Sequence, residues 1–181
     1  MAGVTEKKVS DLMRFYKFCW DLLGIEDGRP NLGTKVELEM YRLMHFTLRD
    51  VLEGKYGRAA TDEVFFEAGK LAGTEFYARY INPVASLDEF VNKTQKVLKE
   101  KNIGILKLEE DLLEQGRVLL TIDEDLDCSG LPETDYETCI YDEGFISALF
   151  EQFTRKKWRA KEIDCWCTGA RTCRFLIKET E

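Results

Sequence analysis

Apolar side chains recur at three- and four-residue intervals through roughly the first hundred positions and at strand-like spacing over much of the remainder. Leu12, Phe15, Tyr16, Cys19, Trp20 and Leu23 predict an amphipathic helix from about Lys8 to Leu23, ended by Gly24. After a loop over Asp27–Gly33, Leu38, Tyr41, His45, Leu48 and Leu52 mark one face of a second helix that stops near Gly54. A third helix runs from about Arg58 to Tyr80 and ends at Asn82-Pro83, where proline removes a donor and restricts the residue before it. Ser86 then stands as an N-cap, with Glu89 in capping-box position, for a helix reaching about Lys101.

From Ile103 the pattern changes. Ile103, Ile105, Leu106 and Leu108, a polar turn through Gln115-Gly116, and Val118 to Ile122 predict a hairpin. The acidic stretch Asp123-Glu124-Asp125-Leu126-Asp127 lacks the glycine and closing glutamate of an EF-hand loop and is expected to be a solvated edge. One more helix, about Thr138 to Thr154, carries Ile140, Phe145, Leu149, Phe150 and Phe153 on its apolar face. A closing hairpin spans about Ala160 to Lys178, with its tight turn at Thr168-Gly169-Ala170. Helices first, then strands around one late helix, predict an α+β fold with a mainly antiparallel sheet of about four strands.

The closing hairpin holds the distinctive chemistry. With its turn centred on Gly169, Cys165 faces Cys173, and opposed residues of an antiparallel pair lie close enough for two thiolates to share a tetrahedral zinc. Cys139 supplies a third donor, and Glu162, Cys167 and Cys128 compete for the fourth. Glu162 lies three residues before Cys165, so strict alternation sends the two side chains to opposite faces unless a bulge or the strand start re-aims one. Cys167, two residues beyond Cys165, has the matching parity and the softer donor atom. A cross-strand disulfide and unbridged core thiols are the alternatives to a metal.

Composition narrows the function classes. A chain of 181 residues that is 44% apolar and 12% aromatic has enough material for one packed core. Its net charge of −8 opposes direct nucleic-acid binding, and the cluster Arg155-Lys156-Lys157-Trp158-Arg159 reads as a solvated helix end. The N-terminus lacks a secretory h-region and no run approaches the ~18 apolar residues of a membrane span, so a cytoplasmic protein without a membrane span is expected. There is no GxGxxG phosphate loop and no nucleophile-base pair beyond the thiols, and no catalytic residue is assigned.

Leu32-Gly33, Glu67-Ala68-Gly69-Lys70-Leu71-Ala72-Gly73, Cys139 to Phe145 and Glu162 to Phe175 resemble the 4-vinyl-reductase (4VR) domain family of predicted hydrocarbon-binding proteins, over about residues 32 to 179. On that resemblance, residues 1–31 form an N-terminal helix and loop, and 32–181 form one continuous small-molecule-binding domain. The family is related to the sensor domain of phenol- and xylene-responsive activators, to TRAPP vesicle-tethering subunits and to haem-type nitric-oxide sensors. The resemblance therefore implies a helical layer on a four- to five-stranded antiparallel sheet, usually dimeric, around an apolar pocket. It implies zinc as cofactor, held by Cys139, Glu162, Cys165 and Cys173. A chain ending at Glu181 leaves no room for the ATPase or DNA-binding domains of those activators, so a free-standing module is expected.

A pocket for a small hydrophobic or aromatic ligand needs aromatic walls and one or two polar groups. Tyr41 and the sole histidine, His45, share a helical stripe, and Phe65, Phe66 and Phe76 share a region of the third helix near Gly69 and Gly73. Phe145, with Trp166, flanks the cysteine motif and could transmit ligand occupancy to it. Satisfied core packing is the plainer account of each. The leading function is a zinc-stabilised sensor that closes around such a ligand, forms a homodimer and reports to a signalling partner. The alternatives are a reductase-like enzyme acting on a tetrapyrrole or aromatic compound, and a purely structural dimerisation module.

Overall fold

The computed structural model of the protein describes residues 16–24 and 28–181. The chain divides into two compact units, Met1–Val36 and Glu37–Glu181. In the first, Cys19 is extended, Trp20–Leu23 make one 3-10 turn and Gly24 closes it in the left-handed region. The expected helix from Lys8 lies outside the described residues as far as Phe15, and its remaining part is this single turn. Tyr16, Leu22 and Leu23 are exposed, so little burial is available to hold a longer helix together.

The second unit begins with α1 (Leu38–Tyr56) and α2 (Arg58–Phe76), joined at Gly57. Gly57, at φ 78°, takes the break expected at Gly54, and its N–H closes α1 on the Glu53 carbonyl. Of the stripe expected to face inward, Tyr41, His45 and Leu52 are half-buried, whereas Leu38 and Leu48 are exposed. Met40, Leu43, Met44 and Val51 are exposed as well, so α1 presents an open apolar surface. Beyond α2 the chain widens into a π turn over Tyr77–Ile81.

Helix α3 (Leu87–Glu100) starts as its sequence requires: Ser86 Oγ accepts from the Glu89 N–H, and Glu89 Oε2 accepts from the Ala85 N–H. Strands β1 (Ile105–Leu112) and β2 (Arg117–Asp123) form the first hairpin, α4 (Ile140–Thr154) follows, and β3 (Trp158–Asp164) and β4 (Cys173–Glu179) complete an antiparallel sheet of order β1-β2-β4-β3. Helix α3 packs on β1, α4 on β3, and α2 on α4. Phe90, Leu98, Leu120, Leu149, Phe150, Phe175 and Ile177 fill the interior between sheet and helices.

Helices α2 and α4 approach backbone to backbone. A Cβ added at Gly69 would stand 2.0 Å from the Tyr141 carbonyl oxygen, and one at Gly144 would stand 2.0 Å from that of Phe66. The Gly-rich segment of α2 is thus a packing device that sets the height of the first turn of α4. That turn carries Cys139 at its N-cap.

Candidate metal centre

Four buried thiols converge where the loop after β2, the start of α4 and the turn end of the closing hairpin meet. The Sγ atoms of Cys128, Cys139, Cys165 and Cys173 all lie within 4.8 Å of one another, and none of the six cysteines is bridged. Cys139 Sγ is 3.8 Å from Cys165 Sγ and 3.7 Å from Cys173 Sγ. A tetrahedron with Zn–S bonds of ~2.3 Å has edges of ~3.8 Å, so these separations already suit one ion. The Cys128–Cys173 pair is closer, at 3.0 Å, yet far beyond a disulfide bond of ~2.05 Å.

The electrostatics point the same way. Hydrogen bonds from Cys128, Cys139 and Cys173 pull the Cys165 thiol far below its ordinary value. Cys139 is held well above its own by hydrogen bonding to the same neighbours and by burial. Burial makes several negative thiolates in one place costly, and a divalent cation there would offset their charge and let protons leave. Four soft donors with no hard ligand among them fit Zn2+ or Fe2+ better than Mg2+ or Ca2+.

Of the sequence-predicted ligands, the structure brings Cys139, Cys165 and Cys173 together, with Cys128 as their fourth neighbour. Glu162 lies against the cluster: its Oε2 accepts from the Cys139 N–H at 3.3 Å. The register of β3 against β4 shifts between Glu162 and Asp164, and this bulge turns Glu162 and Cys165 to the same buried side. Burial, and then the charges of Cys173 and Cys165, push the Glu162 carboxyl up to about 11.

Cys167 is buried outside the four-thiol group, with Sγ 3.4 Å from Thr138 Oγ1. The parity argument for it does not apply, because the link between β3 and β4 is not a tight turn: Trp166–Thr168 make a 3-10 turn before Gly169 at φ 92°. The acidic stretch is also corrected. Asp125 and Asp127 are buried, because the chain folds inward after β2 to deliver Cys128 and the Leu126 N–H bonds to the Ile103 carbonyl.

The aromatic candidates fall into two groups. Tyr41, His45 and Phe65 gather with Tyr141, the His45 ring lying 5.0 Å from Phe65 and 5.6 Å from Tyr41. Phe76 and Phe145 stack edge to face at 5.1 Å within the main core. Phe66 packs with Phe65 and Ile140, under the Arg159 guanidinium. The first group touches the loop that carries Cys128 directly, since Tyr41 Oη donates to Asp127 Oδ1 at 2.6 Å. Sequence reasoning missed Asp127 and Tyr141 as members; Tyr141, one helical step from Ile140 and beside the cysteine motif, could have been read from its position. Trp166 donates Nε1–H to the Leu131 carbonyl and so braces the loop that carries Cys128.

Burial lowers the pKa of His45 from its ordinary value of about 6.5, with Asp127 opposing and Arg49 adding to the fall. The fold therefore favours the neutral ring. Its contribution to stability is present above the unfolded-state pKa and is lost as pH falls through the folded one, because the unfolded chain takes up the proton first. Thermal unfolding between pH 7 and pH 5 is expected to show a steeper loss for the wild type than for His45→Gln; parallel profiles would remove His45 as the cause.

Residues 118–179, from β2 to the end of β4, match the family model of the V4R domain. The structure is similar to that of a vinyl-4-reductase family protein from Methanocaldococcus jannaschii, at 16% identity and a TM-score of 0.62, over 93% of this chain and 99% of that one. It is similar to the phenol-responsive sensory domain of the transcription activator PoxR, solved with phenol, at 14% identity and a TM-score of 0.64, over 99% of this chain and 92% of that one. A trafficking protein particle complex subunit 3 from Naegleria fowleri, covalently bound to palmitic acid, matches at 11% identity and a TM-score of 0.61, over 80% of this chain and 95% of that one. These matches bear out the resemblance and the α+β fold read from the sequence. Among the described residues no helix is long and apolar enough to cross a membrane.

Proposed function

We propose that the protein is a binding module for a small hydrophobic or aromatic molecule, with a structural zinc ion framing the site. The observation that carries this reading is the continuity of the two groups. Cys139, Tyr141 and Asp142 belong to one turn of α4, and Asp125, Asp127 and Cys128 to one loop, so the thiol cluster and the Tyr41–His45–Phe65–Tyr141 group share their supports. Cys128, Cys139, Cys165 and Cys173 would hold the zinc, and bound there it would supply a crosslink between loop, helix and hairpin. The chain's own residues do the rest. Phe65 and Tyr141 offer apolar walls, while His45 and Tyr41 offer the hydrogen bonds that orient a phenol-like hydroxyl.

Phenol in the PoxR sensory domain and palmitic acid in the Naegleria subunit support an apolar or aromatic occupant. The open apolar surface of α1 supports a second copy of the chain as its partner, because exposed Met40, Leu43, Met44 and Val51 are the kind of patch that homodimers bury. The test is native mass spectrometry of protein purified without added metal or ligand, beside the denatured sample, followed by titration with phenol. One zinc per chain, a dimer mass and phenol binding weakened in His45→Ala are the expected results. A metal-free chain would overturn the zinc frame, and phenol binding indifferent to His45 would overturn the placement of the site.

A further inference from the structure

A second donor group adjoins the thiols. Oxygens of Asp125 and Asp142 and the Sγ of Cys139 lie within 4.8 Å of one another, so Cys139 belongs to both groups. Asp125 is 3% exposed, Asp127 4% and Glu162 1%. Asp125 Oδ1 accepts from the Asp127 and Cys128 N–H groups at 2.8 and 3.1 Å, which fixes that carboxylate in the loop. Three other carboxyl oxygens have no donor: Asp127 Oδ2, Asp142 Oδ2 and Glu162 Oε1 are buried and unpartnered. The charges of Asp125, Asp127 and Glu162 all bear on Asp142, so its carboxyl lies in a field of other acids.

No protein cation answers them. Among the described residues none of these four carboxylates is in an ion pair, and the neighbouring cations are engaged elsewhere. Arg42 donates Nε–H and an η N–H to the Leu126 and Ser129 carbonyls. Arg49 pairs with Glu53 and Asp62, although its Nη1 is buried without a partner, and Lys161 pairs with Glu143. Buried carboxyls without a protein cation either hold their protons or bind a metal ion, and a divalent ion arriving there would displace those protons. Filling the four-thiol centre does not relieve the excess, because four thiolates outweigh the charge of one divalent ion and leave that centre negative.

We propose that Asp125, Asp142 and Cys139 form a second divalent-cation site, which shares the Cys139 thiolate with the four-thiol centre and lies within the field of the Asp127 and Glu162 carboxyls. The mixed oxygen and sulfur donors suit Zn2+, Mn2+ or Fe2+, whereas Ca2+ and Mg2+ take all-oxygen shells. The site rests on the thiol cluster being a metal centre, and the pair would form one two-ion cluster under the aromatic group. Tyr41, through Asp127, would place a ligand hydroxyl one residue away from it.

The experiment is a Co2+ titration of the full-length chain after chelator treatment, read by thiolate-to-cobalt absorption and by counting metal retained after gel filtration. Two ions per wild-type chain are expected. Asp142→Asn should retain one, with the tetrathiolate absorption of the first equivalent unchanged. Saturation of the wild type at one ion would overturn the second site alone, and the wild-type count decides this even if the variant fails to fold. Two ions retained in folded Asp142→Asn would also overturn it. No bound cobalt at all would overturn the thiolate centre and with it this proposal.

Discussion

Cys173→Ser should lower the thermal midpoint by ~10 °C or more and should abolish the protein's response to a zinc chelator, whereas Cys167→Ser should leave both nearly unchanged. The asymmetry follows from geometry. Both sulfurs are fully buried, but Cys173 Sγ is within 4 Å of two other thiols, while Cys167 Sγ lies outside the four-thiol group, 3.4 Å from Thr138 Oγ1. A structural ion in this place would link the loop after β2, the N-cap of α4 and the turn end of the β3–β4 hairpin, so its binding free energy would also be folding free energy. The substitution alone does not prove the ion, because a hydroxyl buried in place of a thiol costs stability in a metal-free core too. The chelator separates the two cases. Thermal unfolding followed by circular dichroism, with and without chelator, should show a large chelator-induced drop in wild type and none in Cys173→Ser. A wild type indifferent to chelator would leave four unligated core thiols.

Much of the scaffold was readable from local pattern. Ser86 with Glu89, Asn82-Pro83, the change of period after Ile103 and the α4 stripe each sit where the sequence reading places an element, because capping and periodicity act over a few residues. The approach of Cys165 to Cys173 was readable from the hairpin, whereas Cys139, 26 residues before Cys165, was matched to them by the family resemblance. Cys128 was only one of three rivals for the fourth place, since what brings it in is an inward fold of the acidic loop, held by the Leu126 N–H on the Ile103 carbonyl and by the Arg42 guanidinium. Nothing local in Asp123–Asp127 announces burial, and its charge argues for solvent. The β3 bulge that re-aims Glu162 is likewise a property of pairing with β4, although the need for it could be stated from the three-residue spacing alone. The open face of α1 is the complementary case: its stripe is helical as read, but periodicity does not say which side the rest of the chain will cover.

The tight crossing of α2 and α4 yields the other large effect, and it tests whether that packing holds the Cys139 end of α4 in place. Gly144→Ala is expected to destabilise the protein by ~3 kcal/mol, the upper end of the usual cost of overpacking, which corresponds to a fall of ~6–12 °C in the thermal midpoint. The added methyl would meet the Phe66 carbonyl oxygen at 2.0 Å and the Phe66 carbonyl carbon at 2.9 Å, and backbone atoms, unlike the end of a flexible side chain, cannot step aside. Relief requires the helices to separate, which lifts the turn bearing Cys139 and Ile140 and strips contacts from Phe65 and Phe66. Gly69→Ala should behave alike, its methyl meeting Tyr141 oxygen at 2.0 Å. The double substitution should cost less than the sum of the two, because one displacement of the same pair of helices accommodates both methyls. Gly54→Ala provides the opposite sign in the same fold. It lies inside α1 with nothing within 4 Å of the new Cβ, so it should stabilise by ~0.5–1 kcal/mol through backbone entropy alone. Denaturant midpoints for the four variants decide the matter: a Gly144→Ala protein as stable as wild type would mean that the helices are not in backbone contact in solution, and strict additivity of the pair would mean that the two glycines relieve separate clashes.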